Sequence, residues 1–351
     1  MILIGSMQRT PYSVIINNNT NISYLSSFTV YLLITLFLVI YFIGMATLYT
    51  HKSANIRKTW FLMAVFFGVV IGIGWIFSQI YGNSAILYVA IVFSIFMNVL
   101  SYWFSDKIVL KIHKAKPVDL RSHPELYRVL ENLTITAGLP MPKFYIIEDP
   151  APNAFATGRN AKNAVVAVTT GLMEKLDRSE LEGVLSHELS HIGNRDMLVS
   201  TVAVVLVGFI AILSDIFTRS MLFGGMRSRD DNDSRAGGVM IIIGIALSIL
   251  APIIASLIHL AISRRREFLA DTSGALLTRY PEGLAKALEK ISTYSRPMKT
   301  ASNATAHLFL ENPFGADRGE SANRRTPWLV RIFSTHPPVE ERIKVLRDLK
   351  I

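Results

Sequence analysis

The 351 residues are 51% hydrophobic with a formal charge of +10 and a mean hydropathy of +0.37, more apolar than an ordinary soluble domain of this size. The basic excess reads as charge flanking apolar runs in a membrane protein, and no recognition motif accompanies it, so nucleic acid is not an expected partner. The absence of cysteine excludes disulfides, thiol nucleophiles and thiolate metal sites, and leaves His and carboxylates to hold any metal.

In chain order, five stretches approach the roughly 20 apolar residues that a helix needs to cross a bilayer: residues 28–49, 60–80, 85–104, 197–217 and 238–262. The first follows a segment rich in Asn and Ser, unlike a cleavable signal peptide, and reads as a retained span. The fourth and fifth could instead be all-apolar helices inside a large core. Basic residues gather before the second span (Lys52, Arg57, Lys58), after the third (Lys107, Lys111, Lys114, Lys116) and after the fifth (Arg264, Arg265, Arg266). With five spans these clusters share one face, which the positive-inside rule makes cytoplasmic. The segment 219–238, rich in Gly, Arg and Asp, reads as a loop.

This divides the chain into an extension with an extra span (1–56), a transmembrane hairpin (57–104), a first catalytic block (105–196), a transmembrane pair with its loop (197–262) and a second block (263–351). The two blocks lie on one side of the membrane and are expected to pack as one domain. Residues 143–147 and 164–169 are β-branched and aromatic and predict short strands. Residues 124–137 and 178–193 show helical spacing, and Asp177 with Glu180 forms a capping box at the start of the latter helix.

That helix carries His187, Glu188, Leu189, Ser190 and His191, an HExxH pattern. Residues four apart share one face, so both imidazoles can converge on one ion, while Glu188 reaches the water that a metal would activate. Such a short pattern also arises by chance; here Leu181, Val184, Leu185 and Leu189 are available to bury the supporting faces. A catalytic zinc needs a third protein ligand, and the remaining His and acidic residues are the candidates. Beyond the fifth stretch, Glu267 and Asp271 stand one turn apart in SRRREFLAD, although a solvated helix whose acids offset the arginines would look the same.

HELSHIGNRDM (187–197) followed by SRRREFLAD, with RKTW at 57–60, SDKIVL at 105–110, NAFATG at 153–158 and STHPPVEERI at 334–343, resembles the HtpX-type membrane zinc peptidases, more distantly the CAAX prenyl proteases. The resemblance runs from residue 57 to the end, after about 56 residues that precede the usual start. It implies an α+β fold: a multi-span helical membrane protein whose mainly helical, zincin-like metallopeptidase domain carries a small β-sheet. It further implies one Zn2+ per chain on His187, His191 and Glu267, with Glu188 as general base. Asp271 is then expected to hydrogen-bond a ligand imidazole. The implied activity is a zinc metalloendopeptidase of the inner (plasma) membrane, its active site facing the cytoplasm, acting on polypeptides that include damaged membrane proteins. A processing peptidase with one substrate is the alternative within enzymes. A silent zinc-stabilised scaffold is the alternative outside them, against which Glu188 counts, since a structural site needs no base.

Three assignments remain. His336, beside the stiff Pro337-Pro338 pair, is the candidate partner for the tetrahedral oxyanion, with a surface turn His as the plain alternative. Asn153, Ala154 and Phe155 open a strand whose edge could bind substrate backbone, or could equally form a core hairpin. His51, His113, His123 and His307 read as surface residues, and His259 as a polar group facing a bundle interior.

Overall fold

The computed structural model describes residues 48–206, 208–209, 264–302, 305–315 and 337–350. The expected span at 238–262, nearly all of that at 28–49, the loop at 219–238, His259 and His336 lie outside the described residues. Two long helices, α1 (Leu48–Tyr81) and α2 (Ala85–Ile112), pack side by side. They join through a tight link in which the Asn83 side chain accepts the Ala85 N–H and starts α2. Their apolar portions, Ser53–Gln79 and Ala85–Ile112, span 27 and 28 residues and are long and apolar enough to cross a membrane. The expected spans at 60–80 and 85–104 sit within them. Each helix runs on into polar sequence because nothing there breaks it, so the expected boundary between residues 56 and 57 falls inside α1.

A four-stranded mixed sheet follows, in the order β1-β2-β4-β3: β1 (Lys116–Pro117), β2 (Lys143–Ile147), β3 (Ala154–Thr157) and β4 (Val165–Thr169). Strand β4 lies parallel to β2 and antiparallel to β3, with Ala154 opposite Val168 and Ala156 opposite Val166. Helices α3 (Pro124–Ala137), α4 (Thr170–Lys175), α5 (Arg178–Asn194), α6 (Asp196–Leu206), α7 (Arg264–Thr278), α8 (Pro281–Ser292) and α9 (Val339–Asp348) complete the described α-helices. Helix α3 and strand β2 have the expected limits, α5 is one residue longer and β4 one shorter. The capping box is present in both directions: Glu180 N–H donates to Asp177, and Asp177 N–H to Glu180, each at 2.9 Å.

The main core lies between one face of the sheet and helices α3, α5, α7 and α8, with Val166, Val168, Leu130, Val184, Leu185 and Leu189 buried in it. On the other face Phe155 meets the end of α2 and the segment around Phe309. Helix α6, the described start of the fourth apolar stretch, is buried against α1 and α2.

The expectation that His113 and His307 are surface residues is overturned. Both are buried: His113 Nδ1 meets Thr300 Oγ1 at 2.8 Å while its ring packs edge-on against Phe309. His307 Nε2 meets the Ser200 carbonyl at 3.1 Å. An imidazole enters a core when one nitrogen finds a partner, and spacing in the sequence carries no sign of partners so remote. Burial pushes His113 down to about 4, against a smaller upward pull from Asp149. Unfolding restores its ordinary value near 6.5, so the unfolded chain takes the proton first. The stabilisation is complete above about pH 6.5 and lost as pH falls towards 4. The melting temperature of detergent-solubilised protein should therefore drop over this window, and His113→Gln should flatten that dependence; an equal slope in the variant would remove His113 as the cause.

Candidate metal centre

Helix α5 is gripped on two sides at backbone distance. A Cβ on Gly274 of α7 would stand 2.9 Å from the His187 backbone nitrogen, and one on Gly183 of α5 would stand 2.6 Å from the Leu284 nitrogen of α8. Only glycine permits such approach, and it brings the first turn of α7 over the HExxH face. The result is a cluster of His187, His191 and Glu267, whose candidate donor atoms all lie within 4.8 Å of one another.

The two Nε2 atoms face each other at 3.1 Å. Glu267 Oε2 is 3.8 Å from His187 Nε2, and Glu267 Oε1 is 3.6 Å from His191 Nε2. Ligands on a tetrahedral zinc with bonds of about 2.0–2.1 Å stand roughly 3.3 Å apart, so this donor set fits that ion. Two facing nitrogen lone pairs also require a proton or a metal cation between them. The fit rests on these distances and on the donor types.

Each imidazole is backed by a carboxylate on its Nδ1 side. Asp271 Oδ1 lies 2.9 Å from His187 Nδ1, and Asp196 Oδ2 lies 3.3 Å from His191 Nδ1. Asp196 is five residues after His191, which on a continuous helix would turn it away. The chain breaks helix at Arg195, whose φ of 59° is left-handed, and so swings Asp196 back beside the ring. Sequence reasoning missed Asp196, though the NRDM segment after the helix contained it.

It also missed Arg342. This fully buried guanidinium from α9 holds Asp271 bidentately, Nε to Oδ2 at 2.8 Å and Nη2 to Oδ1 at 2.7 Å, and gives Nη1 to the Leu310 carbonyl. Nη1 also approaches Glu267 Oε2 at 3.9 Å. The sequence signal was its place in STHPPVEERI, one of the segments that carry the resemblance, but nothing in that segment pairs it with Asp271.

The charges follow from these partners. Burial alone would raise the Asp271 carboxyl, but Arg342 and then His187 hold it down at about 2. Burial pushes His187 below its ordinary value despite Asp271. For His191 burial is outweighed by Asp196, Glu267 and Glu188, which hold it at about 9. Glu188 is raised to about 7 by burial and then by Glu267, against downward pulls from His191, Arg342 and the Ala156 backbone.

Along β3 the Thr169 N–H donates to the Asn153 carbonyl. The alternation of an antiparallel pair therefore turns the Ala154 and Ala156 backbone groups outward, towards the free edge. The Leu310 N–H already donates to the Ala154 carbonyl. The Asn153 side chain is likewise engaged: its Oδ1 accepts the Glu311 N–H and its Nδ2 donates to the Glu311 carbonyl. Phe155 is wholly buried. Among the expected edge residues Asn153, Ala154 and Phe155, none thus offers an outward group clear of internal bonds, and the neighbour that faces Glu188 is Ala156.

An HExxH helix crossed by a second helix that supplies a carboxylate defines a metallopeptidase. The chain belongs to peptidase family M48, whose family model matches residues 121–350. It is similar to proteins named Protease HtpX homolog. That of Caldanaerobacter subterraneus subsp. tengcongensis is 45% identical over 87% of this chain and 99% of its own. That of Syntrophobacter fumaroxidans is 47% identical over 83% and 98%, and that of Thermococcus kodakarensis 46% over 83% and 95%. Among solved structures, S. mikatae Ste24p is similar over 86% of this chain and 67% of that one, with a TM-score of 0.46 and 18% identity.

Two outcomes follow from the packing. Gly274→Ala should cost about 1–3 kcal/mol, the usual penalty for overpacking, and should lower zinc content alongside the melting temperature; full zinc occupancy would show that α7 can shift without disturbing the site. Arg342→Leu strands the buried Asp271 charge and should cost about 3–5 kcal/mol. Adding Asp271→Leu should recover part of the melting temperature, because no lone charge then remains; a further drop instead would locate the cost in packing.

Proposed function

We propose that this chain is a zinc-dependent endopeptidase anchored in a membrane, cutting unfolded or damaged membrane proteins on the cytoplasmic side. The observation that carries the reading is the pair of imidazole Nε2 atoms 3.1 Å apart with Glu267 completing the triangle and the buried Glu188 carboxylate beside them. His187, His191 and Glu267 would hold one zinc ion. When bound, zinc supplies Lewis-acid polarisation and lowers the pKa of water towards about 7.

In this reading Glu188 takes the proton from the attacking water and returns it to the departing amine nitrogen. Asp271 and Asp196 fix the tautomer and direction of the two imidazoles. His336 is proposed as the hydrogen-bond donor to the oxyanion. The edge of β3 at Ala156 is proposed to receive substrate backbone as an added strand, which would make cleavage tolerant of sequence.

Membrane residence is supported by α1 and α2. At about 1.5 Å per residue each exceeds the roughly 30 Å hydrocarbon core. They expose Trp75, Tyr88, Val92, Phe96 and Trp103 to the outside, which a core helix of a soluble protein would bury. The stretches at 28–49, 197–217 and 238–262 are proposed as further spans, with blocks 105–196 and 263–351 forming the catalytic domain. The basic residues that bound those blocks support the cytoplasmic placement.

Glu188→Gln should retain zinc at the parental level and lose cleavage of an unfolded model substrate by at least about 100-fold, within the usual contribution of a general base. Metal analysis and single-turnover assays of the detergent-solubilised variant decide it; a zinc-free variant would make Glu188 a ligand, and retained cleavage would end the proposal.

A further inference from the structure

Asn55 lies on the first part of α1, where the helix enters its apolar stretch, and is 3% exposed. Its side-chain nitrogen donates twice, to Asp196 Oδ1 at 2.5 Å and to the Asn194 backbone carbonyl at 3.2 Å. Asn194 is the last residue of α5, where helical carbonyls have no partner within the helix. The other oxygen of Asp196 is the one that faces His191 Nδ1. One amide from an apolar helix thus ties down both the end of the HExxH helix and the carboxylate behind one of its imidazoles.

We propose that Asn55 is a positioning residue of the metal centre, which couples the placement of α1 to the orientation of His191 through Asp196. This rests on the reading of His191 as a ligand. The chemistry favours an amide at this position. A carboxylate with only one fixed oxygen can rotate about its own axis and lose its aim at the ring. A donor on the far oxygen stops that rotation, and a neutral donor does so without cancelling the negative charge that makes the imidazole a better ligand. Arg266 Nη1, 3.8 Å from the same Oδ1, is beyond hydrogen-bond distance and supplies charge without direction. Asn55 reaches across 141 positions of sequence to make this contact. The metal centre is therefore not complete within helices α5 and α7; it includes the first part of a helix long and apolar enough to span a membrane.

The test uses the full-length, detergent-solubilised, zinc-loaded protein and the cobalt-substituted form. Asn55→Ala and Asn55→Ser should each release zinc to a chelator about 10- to 100-fold faster, the usual loss when a group supporting a ligand is removed. The visible cobalt band should shift, because the imidazole is no longer held. In an Asp196→Ala background Asn55→Ala should add nothing to either readout. A merely structural role would lower the melting temperature while leaving the cobalt band in place, and would add its effect in full to Asp196→Ala. Either of those results, or zinc release at the parental rate, overturns the proposal. His191→Ala tests the underlying reading separately: if that variant keeps zinc at the parental affinity, His191 is not a ligand, whatever Asn55 does.

Discussion

A carboxylate with no access to water must be answered on every side, and Asp271 is the point at which this protein meets that requirement. One side faces His187 and the other takes the bidentate fork of Arg342. Leaving Arg342 out would strand a buried charge, at several kcal/mol. Three distant pieces of chain are therefore committed to one another: the HExxH helix, α7 and the C-terminal helix α9. The close approach at Gly274 is what allows it, since a wider crossing would carry Asp271 away from the ring. Glu267, one turn earlier on α7, is then delivered to the imidazoles with no separate device.

The second imidazole has the same arrangement built from different parts. His191 is backed by Asp196, and Asp196 is held by Asn55. In one case the far partner is a cation on a soluble helix, in the other a neutral amide on an apolar one. The difference matches the surroundings. Asp271 is wholly inaccessible and needs a full counter-charge, whereas Asp196 already has Arg266 within 3.8 Å and needs direction more than charge. The carboxylates around the paired nitrogens hold His191 above its ordinary value. Zinc would enter such a site by displacing a proton, which makes metal affinity depend on pH.

Much of this was legible in the sequence where the information was local. The limits of α3 and β2, the capping box at Asp177 and the shared face of His187 and His191 each depend on residues a few positions apart. Glu267 and Asp271 were legible as a pair, but spacing alone left their solvated alternative open, and the resemblance to HtpX-type peptidases supplied their roles. What escaped were partners from far along the chain. Arg342 lies 71 positions from Asp271 and Asn55 lies 141 from Asp196, and neither residue type announces burial. His113 and His307 were misread for the same reason: Thr300 and the Ser200 carbonyl bring them inside, and both are remote in sequence. The boundary drawn at residue 56 falls inside α1, because a motif marks where resemblance starts, not where a helix does.

The edge of the sheet completes the physical picture. On β3 the outward groups alternate, and the first of them, at Ala154, is taken by Leu310. The next outward group belongs to Ala156, which lies beside Glu188. The proposed base therefore stands close to the strand edge as well as on its own helix. A peptide laid along that edge would be aligned by backbone hydrogen bonds, which are the same for every residue but proline, and the carboxylate would stand at a fixed height beside it. Recognition of that kind selects for an extended, unpaired chain over any particular side chain. The proposed mode of recognition would suit unfolded polypeptide, because a folded one has no free backbone to offer.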